Sequence, residues 1–162
     1  MTPPANQWSY QGTLPTDVIG EKQARISTKY GDIVIELFDK TAPITVSNFV
    51  YLANNGFYNK LTFHRRESWV LQGGDPKGNG TGGPGYTIPD EVEDSYDYSR
   101  GIVAMANRGI PTTGGSQFFI MLIDTPLPKQ YSIFGRVVSG MDVVDKMKVG
   151  DVMNEVVIEP KK

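Results

Sequence analysis

Along most of the chain the hydrophobic and polar positions alternate over short runs, and helical spacing is visible in only two places. Ala24-Arg-Ile-Ser-Thr-Lys29 alternates, Tyr30-Gly31-Asp32 supplies a turn, and Ile33-Val-Ile-Glu-Leu-Phe38 is β-branched and apolar. That pattern predicts a hairpin. Pro43 stands where a first helical turn tolerates proline. Phe49, Val50, Leu52 and Ala53 mark the buried side of a helix ending at Asn54-Asn55-Gly56. Strand-like pieces follow at 61–64, 69–72, 101–106, 117–123 and 132–138, between glycine-rich loops. A second helix near 141–148 places Val144 and Met147 on one side, and Val156-Val-Ile158 makes a last strand. Many short strands with two helices predict a closed or nearly closed antiparallel barrel whose ends the helices cover.

Residues 1–20 mix proline, polar and aromatic residues without a period, and they read as a tail or lead-in segment partly ordered by Trp8 and Tyr10. Residues 21–162 form one domain, with no repeat and no linker. The 162 residues, 18 of them Gly and 11 Pro, fit a loop-rich globular unit able to bury a core. With 16 basic and 18 acidic residues the net charge is −2, which gives no electrostatic case for nucleic acid or an anionic membrane. The absence of cysteine excludes disulfides, thiolate catalysis and Cys-ligated zinc. No apolar run reaches the roughly 20 residues that span a bilayer. The start shows no basic stretch followed by an apolar one, so a cytoplasmic location is expected, with an extracytoplasmic one as the alternative if a signal or anchor preceded it.

Several motifs suggest chemistry that their context does not support. Gly78-Asn-Gly80-Thr-Gly-Gly83 has the G-x-G-x-x-G form, but Pro84 and Gly85 follow where a helix would have to begin, so it reads as a surface loop. Asp90-Glu-Val-Glu-Asp-Ser-Tyr-Asp97 lacks the spacing of a calcium loop and reads as a solvated acidic run. His64 is the only histidine, which excludes a two-His metal site. Ser116 fails the nucleophile-elbow pattern because Phe118 occupies the second glycine position. No metal or other cofactor is expected.

What remains suits the gripping of a peptide. Arg65 follows the strand Leu-Thr-Phe63-His64, and Gln72 opens Gln-Gly-Gly-Asp75, where two glycines admit another backbone. Asn107 follows Met105-Ala106, and Gln117-Phe118-Phe119 follows a Gly-Gly-Ser turn. Taken singly each has an ordinary alternative: the amides as turn caps, Arg65 in an ion pair, Phe119 in the core. Together, Phe63-His-Arg65, Gln72-Gly-Gly-Asp75, Gly80-Thr-Gly-Gly83, Met105-Ala-Asn107, Gly115-Ser-Gln-Phe-Phe119-Ile and Phe134-Gly-Arg-Val137 resemble the signature blocks of the cyclophilin-type peptidyl-prolyl cis–trans isomerases, in family order. The resemblance covers roughly residues 24–160. It implies a mainly β fold, a closed eight-stranded antiparallel β-barrel capped by two α-helices, with a substrate groove on its outer face. It also implies isomerase activity without a cofactor, on proline-containing peptides and unfolded proteins, by a monomer.

By the same resemblance Arg65 matches the catalytic arginine. Gln72, Ala106 and Asn107 match substrate-backbone contacts, and Gln117 matches the polar residue below the arginine. Phe119 matches the floor of the proline pocket, Leu127 and Tyr131 its walls, and His64 a structural position. Four departures stand out. The Arg65–Gln72 stretch is one residue shorter than usual, which sets Trp69 at the position of the pocket phenylalanine and Val70 at that of a pocket Met or Val. One extra residue lies between Asn107 and Gln117. Tyr131 replaces the histidine of many eukaryotic members. Pro126 stands where cyclosporin-sensitive members carry Trp, so only weak cyclosporin binding is expected.

Overall fold

The computed structural model describes residues 8–162. A single turn of helix, α1 (Thr16–Ile19), leads into β1 (Lys22–Thr28) and β2 (Gly31–Leu37). The expected hairpin forms, but it turns one residue earlier than the pattern indicates. Thr28 pairs with Gly31, whose φ of 127° suits glycine, and Thr28 Oγ1 bridges the turn to the Gly31 carbonyl. Helix α2 (Pro43–Asn54) follows, then β3 (Phe63–Arg66), β4 (Val70–Gly73), β5 (Ile102–Met105), β6 (Phe118–Met121), β7 (Ile133–Ser139), α3 (Met141–Lys146) and β8 (Glu155–Pro160).

The eight strands make one antiparallel sheet in the order β3-β4-β6-β5-β7-β2-β1-β8. The expectation of a closed barrel needs correction. The two end strands, β3 and β8, are not laddered to each other, so the sheet is open and curled. The chain reaches β8 through an irregular turn in which Asp151 accepts the Lys148 N–H, and this leaves one isolated bridge, Thr62 to Val152, across the gap. Four backbone bonds accompany it: the N–H groups of Lys60, Met153, Phe63 and Gly150 donate to the carbonyls of Met153, Leu61, Asp151 and Phe63 respectively.

The concave side holds the main core. Phe118 is met edge-on by Phe49 of α2, by Tyr58 and by Phe63, at ring separations of 5.6, 5.6 and 6.4 Å. Such edge-to-face pairs add about 0.5–1.5 kcal/mol each to the burial of their surface. Helix α2 has no side-chain cap of its own at Ala42. Its first turn is closed instead by Glu91, whose carboxylate accepts the Ile44 N–H at 3.0 Å, the Thr45 N–H at 2.6 Å and the Thr45 hydroxyl at 2.7 Å. An anion there satisfies donors that the helix leaves open and complements its dipole. The acidic run is therefore not solvated throughout: Glu91 caps α2, and Asp90 accepts the Thr112 N–H.

The lead-in segment packs on α2. Trp8 lies edge-on to Tyr51 and Phe57, Ile19 is buried, and the Leu14 N–H donates to Ser47 Oγ, whereas Tyr10 is exposed. The remainder of the predicted tail, residues 1–7, lies outside the described residues.

Candidate active site

In most antiparallel sheets one face is buried and the other is solvated. Here β5 and β6, reading Ile-Val-Ala-Met and Phe-Phe-Ile-Met, are buried at all four positions. Val103, Met105, Phe118 and Ile120 face the main core. Ile102, Ala104, Phe119 and Met121 face outward into a second apolar cluster with Val70, Tyr98 and Ile133. Trp69, Ala106, Leu127 and Tyr131 pack on its margin, half-buried. The apolar residues named from the sequence are thus gathered on one outer face.

The arginine reaches that face through a β-bulge. Phe63 pairs with Gly73 and Arg65 pairs with Gln72, so His64 is the extra residue. A regular strand would point positions 63 and 65 the same way. The bulge lets Phe63 enter the core while Arg65 points out. The register then sets Arg65 opposite Gln72, Gln72 opposite Phe119, and Phe119 opposite Ala104, a row across four strands. The shortened stretch is absorbed in a tight end, where the Glu67 N–H bonds to the Val70 carbonyl, and the pairing of Arg65 with Gln72 is kept.

Hydrogen bonds fix the polar half of the row. Arg65 Nη1 donates to Gln72 Oε1 at 3.1 Å, Gln72 Nε2 to Gln117 Oε1 at 3.0 Å, and Gln117 Nε2 to the Gly82 carbonyl at 2.9 Å. Each amide has its orientation set by its neighbour. The guanidinium carbon lies 5.4 Å from the centre of the Trp69 ring, and Glu67 Oε1 is 3.7 Å from Arg65 Nε. Phe119 meets Tyr131 edge-on at 5.4 Å.

Beside the row, a cavity of about 140 Å³ is lined by Gln72, Gly82, Tyr86, Ala106, Asn107 and Gln117, among others. Its glycine-rich wall is held by Asp75, whose carboxylate accepts the N–H groups of Lys77, Asn79 and Gly80. Burial raises the pKa of that carboxyl, but the backbone donors prevail and hold it below the ordinary carboxylate value. The side chain of Asn107 is already engaged, donating to the Gln130 carbonyl and accepting from the Gly109 N–H, so it staples two loops together. Among the described residues no partner bonds to its main chain. His64 is half-buried behind Arg65. Burial pushes its pKa down, and among the described residues its Nδ1 has no partner.

Sequence reasoning did not name Tyr98, Ala104 or Met121. The outward alternation in β5 and β6 carries the signal for the last two.

Comparison with known proteins shows the family. The sequence model of the family described as "Cyclophilin type peptidyl-prolyl cis-trans isomerase/CLD" matches residues 23–162. The chain belongs to that family. A peptidyl-prolyl cis-trans isomerase of Helicobacter pylori is 49% identical over 139 residues, covering 83% of this chain and 85% of that protein. Peptidyl-prolyl cis-trans isomerase B of Bacillus subtilis is 49% identical over 130 residues, covering 78% and 90%. A crystal structure of a Cryptosporidium parvum cyclophilin-type isomerase superposes with a TM-score of 0.81 at 34% identity, covering 87% of this chain and 99% of that one. A second structure of that protein, determined in the presence of the dipeptide Ala-Pro, gives 0.78 at 34% identity, covering 85% and 98%. The chain is thus an isomerase of the cyclophilin type, and the family match begins after the segment that packs on α2.

Proposed function

We propose that this cyclophilin accelerates rotation about X–Pro bonds in peptides and unfolded proteins, with Arg65 as the catalytic residue and the outer apolar face as the proline pocket. The observation that carries this reading is the row Arg65, Gln72, Phe119, Ala104, in which a fixed cation borders an apolar floor.

An X–Pro bond turns slowly because amide resonance raises a barrier of ~18–20 kcal/mol. Its two planar forms differ by only about 0.5–1 kcal/mol, so the task is kinetic and needs no energy source. At the twisted state the prolyl nitrogen becomes pyramidal and regains a lone pair. An N–H from Arg65 directed at that nitrogen binds the twisted form better than either planar one, which is what lowers a barrier. Gln72 takes one guanidinium donor and sets the plane, which leaves other N–H groups of the fork for the substrate. Phe119, Val70, Leu127 and Tyr131 receive the proline ring, with Trp69 at the rim beside the guanidinium. The main chains of Ala106 and Asn107, with the Gln72 amide, hold the peptide backbone. With the ring held and the backbone clamped on one side of the bond, the other side is the part that turns.

The test is magnetisation exchange between the cis and trans resonances of an Ala-Pro peptide, with catalytic amounts of the protein. Accelerated exchange is expected. A module that only grips proline segments would shift the resonances and leave the exchange rate at its uncatalysed value. Pro126 offers no donor where cyclosporin-sensitive members carry an indole N–H, so weak inhibition follows. An inhibition titration showing stoichiometric block at sub-micromolar protein would refute that part.

A further inference from the structure

The outer apolar face is part sheet and part loop. Phe119, Val70, Ala104 and Met121 stand on strands, whereas Leu127 and Tyr131 belong to the connection between β6 and β7. Within residues 125–131 the backbone bonds are local, from the Leu127 N–H to the Thr125 carbonyl and from the Gln130 N–H to the Pro128 carbonyl. A segment with so few cross-ties would not by itself hold two pocket walls in place.

Both ends of the segment hang on one residue. The Thr125 N–H donates to the Tyr98 carbonyl at 3.0 Å. Six residues further on, the Tyr98 hydroxyl donates to the Tyr131 carbonyl at 2.8 Å and accepts the Tyr131 N–H at 3.2 Å. The Tyr98 ring, 3% exposed, meets the Tyr131 ring edge-on at 6.2 Å, and the Lys129 ammonium stands 5.2 Å from its centre. Among the described residues the other polar ties from 125–131 to the body are Lys129 to the Tyr96 carbonyl, Lys129 to Asp97 at 3.9 Å, and the Asn107 side chain to the Gln130 carbonyl, beside the edge-on contact of Tyr131 with Phe119. Burial raises the pKa of the Tyr98 phenol above its ordinary value, so it stays a neutral donor throughout the working pH range.

We propose that Tyr98 is a positioning residue for the proline pocket: its hydroxyl fixes the main chain of Tyr131 and so sets the Tyr131 and Leu127 walls against Phe119. The proposal rests on the reading that this face receives the proline ring. Arg65 is reached from the opposite side of the row, through Gln72, and shares no bond with Tyr98. Loss of the hydroxyl should therefore loosen the grip on proline and leave the step at the imide nitrogen nearly intact.

The test is Tyr98→Phe, which keeps the ring and the Thr125 anchor and deletes one oxygen. The dissociation constant of an Ala-Pro peptide, from an NMR titration, is expected to rise roughly three- to tenfold, the worth of about one net hydrogen bond. The exchange rate of the saturated complex should stay within about twofold, and amide hydrogen exchange should quicken at 125–131 while the strands keep their protection. An unchanged dissociation constant, or a saturated rate that falls in step with a global loss of protection, would overturn the proposal. Phe119→Ala serves as the control. If it too leaves peptide binding unchanged, the pocket reading fails; if it weakens binding and Tyr98→Phe does not, only the role of Tyr98 fails.

Discussion

Replacing Arg65 by alanine is the most direct test of how the site works, and its size can be estimated from the contacts. The guanidinium is held on one edge by Gln72 at 3.1 Å and on one face by Trp69, and Gln72 is itself locked by Gln117 at 3.0 Å. A donor so preorganised in a dry site is worth about 2.7–4 kcal/mol at the transition state. The Arg65 side chain is 42% exposed, so water weakens the interaction and about 2–3 kcal/mol is the better figure. That corresponds to a fall in kcat/KM of roughly 30- to 150-fold. Arg65→Lys should lose nearly as much, because a single ammonium cannot hold the Gln72 bond and also present a fixed N–H to the substrate. Stability should hardly change. The Glu67 pair is long and exposed, and surface pairs of this kind contribute little. A Tm shift within about 2 °C is expected. The rate should be read by magnetisation exchange or a protease-coupled assay on an Ala-Pro peptide, with circular dichroism on the same samples. A folded Arg65→Ala protein within threefold of the wild-type rate would refute the assignment.

Other consequences concern what holds the site's frame. Glu91→Ala uncovers the first turn of α2 and should cost about 1–2 kcal/mol in a denaturant melt; an unchanged midpoint would mean that water replaces the carboxylate without loss. Asp75 has a folded pKa below its unfolded one, so its stabilisation is full above about pH 4 and is lost as pH falls through the lowered value. Asp75→Asn should therefore lower Tm by roughly 5 °C at neutral pH, and the gap to wild type should narrow below pH 4 in melts across pH. A gap constant with pH would disconnect that charge from the loop. A Cβ on Gly135 would stand 2.6 Å from the Glu36 carbonyl oxygen and 2.8 Å from Ile35 Cγ2 of the paired strand. Neither can give way easily, so Gly135→Ala should destabilise by about 2–3 kcal/mol, and a neutral result would show that β2 and β7 part more readily than their register suggests.

The strands were legible because their residues are β-branched or apolar in short runs, and α2 because Pro43 opens it and an apolar side follows. Other features were hidden for identifiable physical reasons. Helix α1 is one turn long, too short for any period to show. Glu91 looked solvated among its acidic neighbours because the donors it satisfies lie at 44 and 45, far away in the chain. Tyr98 stands with Tyr96 in an otherwise polar loop, and nothing local announces that it anchors residues 125 and 131. The open edge between β3 and β8 depends on where irregular chain at 148–153 meets 60–63, which strand patterns do not encode.

The bulge at His64 explains why motif and pattern had to be read together. By alternation alone, Phe63 in the core would carry Arg65 inward with it, and a buried, unpaired guanidinium is among the costliest things a core can hold. One extra residue removes the conflict. It turns the cation onto the outer face, where Gln72 meets it in register and Phe119 lies one strand further along. The same outer face is apolar on β5 and β6, although an antiparallel sheet has no structural need for that. A second apolar cluster on the outer face, with a charge delivered to its border by a local irregularity, is better explained by what the face receives than by how the open sheet folds.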